Sequence, residues 1–196
     1  MTRADLQPDR QPGWRTGLVP ALGGALLLAA ASTVADLLWA AWHLRHRMVY
    51  GLIHGASLFV VFGLYLGLVG RSRRGLLIGL AGGPAAGLAA AASYYLLRPW
   101  LRAGALFAAW MVLWILLAIV ARLVLGNRGP VRRALVRGAA AALSSGLAFY
   151  AISGIWLRPP PGGPNPAYFF ACWVIAFLPG FVALLWREPE TASSGR

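Results

Sequence analysis

The sequence predicts an all-α fold: a polytopic membrane bundle of six transmembrane helices, arranged as three tandem helical hairpins. Three observations predict it. The 196 residues are 59% hydrophobic and only 12% charged, where a soluble domain carries roughly a quarter charged residues. Six apolar stretches, each near the roughly 20 residues that cross a bilayer, follow one another along the chain. The 18 basic residues are all arginine, face only 5 acids, and gather in the polar turns between the stretches. This pattern excludes an ordinary soluble enzyme, a disordered tail and a free nucleic-acid-binding domain.

Residues 1–16 form a polar lead containing Pro8, Pro12, Arg3, Arg10 and Arg15. Residues 17–186 form the transmembrane domain, with stretches at about 17–41, 48–69, 75–97, 103–125, 134–157 and 167–186. In lipid a backbone must satisfy its own hydrogen bonds, so each stretch is expected to be a helix. Residues 187–196 form a polar tail. The first stretch has a second reading. Arg15, an apolar run and Thr33-Val34-Ala35 resemble a signal peptide cleaved after residue 35. The run is long for a signal peptide and continues through Leu37, Leu38, Trp39 and Trp42, which favours a helix.

The arginines assign an orientation. Arg3, Arg10, Arg15, Arg71, Arg73, Arg74, Arg122, Arg128, Arg132, Arg133, Arg137, Arg187 and Arg196 fall on the side of the N-terminus, 13 in all. Only Arg45, Arg47, Arg98, Arg102 and Arg158 fall on the other. The positive-inside rule then places both termini in the cytoplasm, with the chain in a bacterial cytoplasmic (inner) membrane. The net charge of +13 reads as topology and contact with anionic headgroups rather than as a nucleic-acid site. Trp14, Trp42, Trp100, Trp156 and Trp186 lie near helix ends, where indole prefers the interface. Trp39, Trp110, Trp114 and Trp173 lie deeper, either as packing or as an aromatic wall around a ligand.

An internal repeat supports the hairpin scheme. GPAAGLAAAASYYLL at 83–97 aligns with GAAAALSSGLAFYAI at 138–152, matching Tyr95 to Tyr150 and Tyr94 to Phe149. Phe107-Ala108-Ala109-Trp110 likewise resembles Phe170-Ala171-Cys172-Trp173. Successive hairpins enter the membrane in the same direction, so the repeats are parallel; inverted repeats are the commoner transporter signature. Gly79, Gly83, Gly87 and Ala91, and likewise Gly138, Ala142 and Gly146, recur every fourth residue. Such a stripe of small residues lets helix backbones approach closely. It predicts that the odd helices form the bundle centre. Pro84 and Pro179 are candidate kinks.

Chemistry inside a membrane needs ionisable groups, and these are costly enough to be functional candidates by default. Asp36 is the one acid within the spans, and all three histidines follow it in DLLWAAWHLRHRMVYGLIHG. Asp36 and His43 are seven apart and share a helix face, as do Tyr50 and His54 four apart. Asp36 and His54 are expected at similar depth on antiparallel neighbours, roughly 10 Å inside the boundary. The ligand-binding or proton-relay candidates are therefore Asp36, His43, His46, Arg47, Tyr50 and His54. The cluster suits a structural ion pair, a polar pocket for a ligand headgroup, or proton transfer, since histidine titrates near neutrality. Metal and haem are weaker fits, because no HExxH spacing exists and the other hairpins supply no second histidine set. No nucleophile-elbow, phosphate-loop or dinucleotide-binding pattern is present, so no catalytic residue, metal site or cofactor is assigned. Cys172 sits between Ala171 and Trp173, reads as a small hydrophobe, and leaves no internal disulfide.

The last hairpin, Phe149-Tyr150-Ala151-Ile152-Ser153-Gly154 through Tyr168 to Trp173 and Gly180, resembles the Insig proteins of sterol regulation. An aromatic-rich helix end, a proline-containing turn and a tryptophan helix occur in similar order. The DLLWAAWHLRHR segment departs from that family's pattern, and no functional residue is carried over. The resemblance implies an apolar lipid-binding cavity between helices rather than catalysis. The expectation is a non-enzymatic lipid or small apolar-ligand binding protein. Its expected partners are membrane lipids, a membrane protein or a second copy. The alternatives are a small secondary transporter or proton-coupled permease using Asp36 and His54, and a haem- or metal-binding redox protein.

Overall fold

The computed structural model describes residues 13–42, 46–126, 129–152 and 165–185. These residues form six helices and no strand: α1 (Gly13–Trp42), α2 (Arg47–Val69), α3 (Arg73–Leu101), α4 (Gly104–Val124), α5 (Val131–Ile152) and α6 (Pro166–Leu185). All six are long and apolar enough to cross a membrane, with mean hydropathy from 1.4 for the α5 span to 2.5 for α4. The protein is an all-α, multi-pass membrane bundle.

Local chemistry sets several helix boundaries. Ser72 sits in extended backbone before α3, and its Oγ accepts from the Gly75 N–H at 2.9 Å. Asn165 does the same for α6, where its Oδ1 accepts from Ala167 and Tyr168 at 3.1 and 3.2 Å. Both satisfy N–H groups that the first turn leaves unpaired. Pro166 at the first helical position has no N–H to satisfy and fits its site. α3 continues to Leu101, past the expected end at 97, because the hydrogen-bond ladder persists to Arg102 N–H on Arg98 O. Hydropathy locates a span, whereas the ladder ends where the backbone turns, here at Arg102 with φ 48°. α5 likewise starts at Val131 and takes Arg132 and Arg133 into its first turn.

The helices form a closed ring. Each packs antiparallel on the next, and α6 returns to α1. α4 also touches α2 and α6, which brings it inward. The expectation that odd helices form the centre is therefore corrected. Half of the α4 span is buried, the largest share of any helix. The physical reason is volume. Small residues allow pairwise approach, but filling the middle of a six-helix ring takes large side chains. Trp114, Leu117, Phe62, Phe177, Phe181 and Leu28 supply them, each almost fully buried.

The most extensive seam is α2 against α3. There Gly63 and Gly79 meet backbone to backbone: a Cβ on either would overlap the other's carbonyl. Gly83 lies on the Phe59 carbonyl and Gly87 on that of Gly55 in the same way. Gly138 packs on the α4 backbone near Trp114 and Ile115, and Gly146 lies under Phe107 and Trp110. The seam between α1 and α2 is the thinnest in the ring. Side chains bridge it: the Tyr65 hydroxyl donates to the Pro20 carbonyl, and Trp39 meets Tyr50 and His54. The sequence-expected first hairpin is thus the loosest unit, and α1 packs mainly on α6.

Candidate functional site

Asp36 lies on α1 six residues before its end, about 9 Å along the helix axis. Its carboxylate is half-buried. The donor it finds is Trp173 on α6, whose Nε1–H donates to Oδ2 at 2.7 Å. That bond joins residues 137 positions apart in the chain. A carboxylate inside a span needs a donor, and an indole N–H supplies one without a second charge.

His54 does not pair with Asp36. It meets the edge of Trp39, with ring centroids 6.4 Å apart, and Tyr50 meets the same indole at 6.1 Å. Trp39 lies three residues along α1 from Asp36, on a neighbouring part of the same face. The site is therefore an acid on the α6 side of α1 and an aromatic rim of Trp39, Tyr50 and His54 on the α2 side. His46 is exposed just before α2. His43 and the Arg47 side chain lie outside the described residues. Among the described residues no three of His, Cys, Asp and Glu come together in a metal-holding group.

Below Asp36 an aromatic column runs through the bundle. Trp173 stacks on Phe177 at 5.2 Å, and Phe177 stacks on Trp110 at 5.7 Å. Phe149 lies against both tryptophans. Trp114 meets Phe181, which contacts Phe62 and Tyr65 in turn. Trp110, Trp114 and Trp173 thus pack against other aromatic rings of the column. Thr33, Ser93 and Ser144 donate to carbonyls one turn back. Ser145 donates across to the Ala176 carbonyl of α6. Among the described residues, three fully enclosed side-chain polar atoms have no partner: Ser32 Oγ, Trp110 Nε1 and Trp114 Nε1.

At the other end of the bundle, arginines gather. Arg122, Arg133 and Arg137 line a recess between the ends of α4, α5 and α6, together with Gly129, Pro130 and Leu184. Arg122 donates both Nε and Nη2 to the Gly129 carbonyl at 3.1 and 2.9 Å.

Sequence reasoning found Asp36 and missed Trp173. The signal was present, because a lone intramembrane acid demands a donor, but spacing does not say which of several tryptophans reaches it. The arginines were read as orientation marks. The four-residue spacing of Arg133 and Arg137, beside Ala134 and Gly138 on the α4-facing side of α5, was the usable clue.

No family model, curated protein or solved structure matches this chain. The likeness of the last hairpin to the Insig proteins stands on its residues alone.

Proposed function

We propose that the protein is a non-enzymatic binder of amphiphiles in the membrane, and that it receives a cationic headgroup at the end of α1, between Asp36 on its α6 side and the aromatic rim of the α1–α2 seam. One observation carries this reading. Asp36 is the only acid among the described residues, has an indole rather than a cation as its partner, and stands beside an aromatic rim on the loosest seam of the ring. A carboxylate with tryptophan and tyrosine faces nearby matches an ammonium headgroup by charge and by cation–π attraction. The apolar tail then lies against exposed side chains of α1 and α2 such as Leu38, Val49 and Ile53. The packed aromatic column favours a ligand at the seam over one in a central cavity. The arginine distribution supports a cytoplasmic-membrane location with both termini inside, which puts Asp36 near the outer leaflet.

Thermal unfolding of purified protein with alkyl-trimethylammonium, alkyl-sulfate and neutral alkyl amphiphiles of one chain length tests the proposal. Stabilisation by the ammonium series alone, abolished by Asp36→Asn, supports it. Equal response to all three headgroups overturns it. A transporter using the same acid is the second reading, favoured by a carboxylate near His54 on a thin seam. It is separated by flux in proteoliposomes: proton-coupled uptake lost in Asp36→Asn marks transport, and binding without flux marks a binder.

A further inference from the structure

The recess at the arginine-rich end is independent of the Asp36 site. Three features make it more than a run of basic residues. First, its arginines converge from two elements, Arg122 from the last turn of α4 and Arg133 with Arg137 from one face of α5. Second, among the described residues no carboxylate lines it, and the single described acid is at the opposite end of the bundle. Third, Arg137 is half-buried and sits six residues into the α5 span, about 9 Å along it. A guanidinium at that depth is costly unless an anion or water reaches it.

The shape fits a small oxyanion. The recess holds about 40 Å³, and one water needs at least about 10–15 Å³, so it takes a group with roughly three water-sized oxygens. Arg122 is already fixed by its two bonds to Gly129, which holds the α4–α5 turn and leaves Arg133 and Arg137 to receive a ligand. The start of α5 adds the positive end of its helix dipole. A wider recess of about 230 Å³, lined by Ser72, Arg74, Gly75 and Gly126, adjoins it through Arg122.

We infer that Arg122, Arg133 and Arg137 form a binding site for a net-anionic phosphate group at the arginine-rich face of the bundle. Planar guanidinium forks bind phosphate oxygens with two parallel N–H bonds, which fixes orientation as well as charge. The phosphate is either the headgroup of an anionic lipid or a water-borne phosphate; the chemistry at the arginines is the same.

The test uses the full chain in phosphatidylcholine nanodiscs. One arm adds phosphatidylglycerol and the other adds inorganic phosphate or pyrophosphate; native mass spectrometry and thermal shift are read in both. Arg133→Gln with Arg137→Gln is compared with Arg73→Gln with Arg132→Gln, which removes equal charge from the same face outside the recess lining. The site predicts that the first pair weakens phosphate or lipid retention about tenfold, while the second leaves it within about twofold. Melting without ligand, unchanged or raised in the first pair, excludes misfolding as the cause. A response to phosphatidylglycerol alone identifies a lipid headgroup, and a response to inorganic phosphate identifies a soluble ligand. Equal losses in the two pairs, or no response in either arm, overturn the inference.

Discussion

The two seams on either side of α2 are built on opposite principles. Towards α3 the closest contacts are made by backbone, with Gly63 on Gly79 and Gly55 on Gly87. Towards α1 the contact is made by side-chain ends: the Tyr65 hydroxyl on Pro20 and the edges of Trp39, Tyr50 and His54. The first seam has no tolerance for added volume. The second spaces two helices apart, and the one acid of the described spans lies three residues from Trp39 on α1, bonded to Trp173 of α6. A bundle that must hold its shape in lipid, where no hydrophobic effect drives helices together, gains most from close packing. The α1–α2 seam is the one thin seam in a ring whose other seams are extensive.

Substitutions at the two seams test this contrast. The largest effect is expected at the backbone seam. Gly79→Val would drive its Cβ into the Gly63 carbonyl, and a backbone shift of that kind costs about 3 kcal/mol or more. Unfolding in mixed micelles measures it, and a cost below that of the side-chain seam would reverse the comparison. Next comes Trp173→Phe, which leaves the Asp36 carboxylate without its donor and is expected to cost about 1–3 kcal/mol. Asp36→Asn in that background should recover part of the loss, because the unpaired charge is gone. Tyr65→Phe removes one bond across the α1–α2 seam and is expected to cost about 1 kcal/mol. Gly23→Ala is expected to be smallest. Its Cβ meets only the end of the Tyr65 side chain, the hydroxyl at 3.0 Å and ring carbons at 3.7 and 3.8 Å, so a shift of a few tenths of an ångström makes room without touching backbone. A change within about 0.5 kcal/mol is the ordinary range for such a site. If Gly23→Ala and Gly79→Val cost the same, the two seams do not differ as described.

The spans were legible because hydropathy and length act locally: each of the six apolar stretches became a helix. Their ends were less so. Arg132 and Arg133 read as loop, yet they take helical backbone after Pro130, since a polar side chain does not stop a hydrogen-bond ladder. The glycine stripes were legible as packing surfaces, but not their destination. Gly79 and Gly83 line a pairwise seam, while the centre goes to Trp114 of α4. Asp36 stood out for its scarcity. Its partner did not, because a contact between α1 and α6 depends on how the ring closes, and nothing near Asp36 in sequence encodes that closure.

The central claim is that Asp36 selects a cationic headgroup at the end of α1, beside the aromatic rim of the α1–α2 seam. Equilibrium binding of an alkyl-trimethylammonium amphiphile and its uncharged carbon isostere, measured side by side on the wild type and on Asp36→Asn, tests it most directly. The account predicts at least about tenfold preference for the cation in the wild type and none in the variant, the size expected of one desolvated charge–cation contact. Equal affinity for the two amphiphiles in the wild type, or a preference that survives Asp36→Asn, would contradict it.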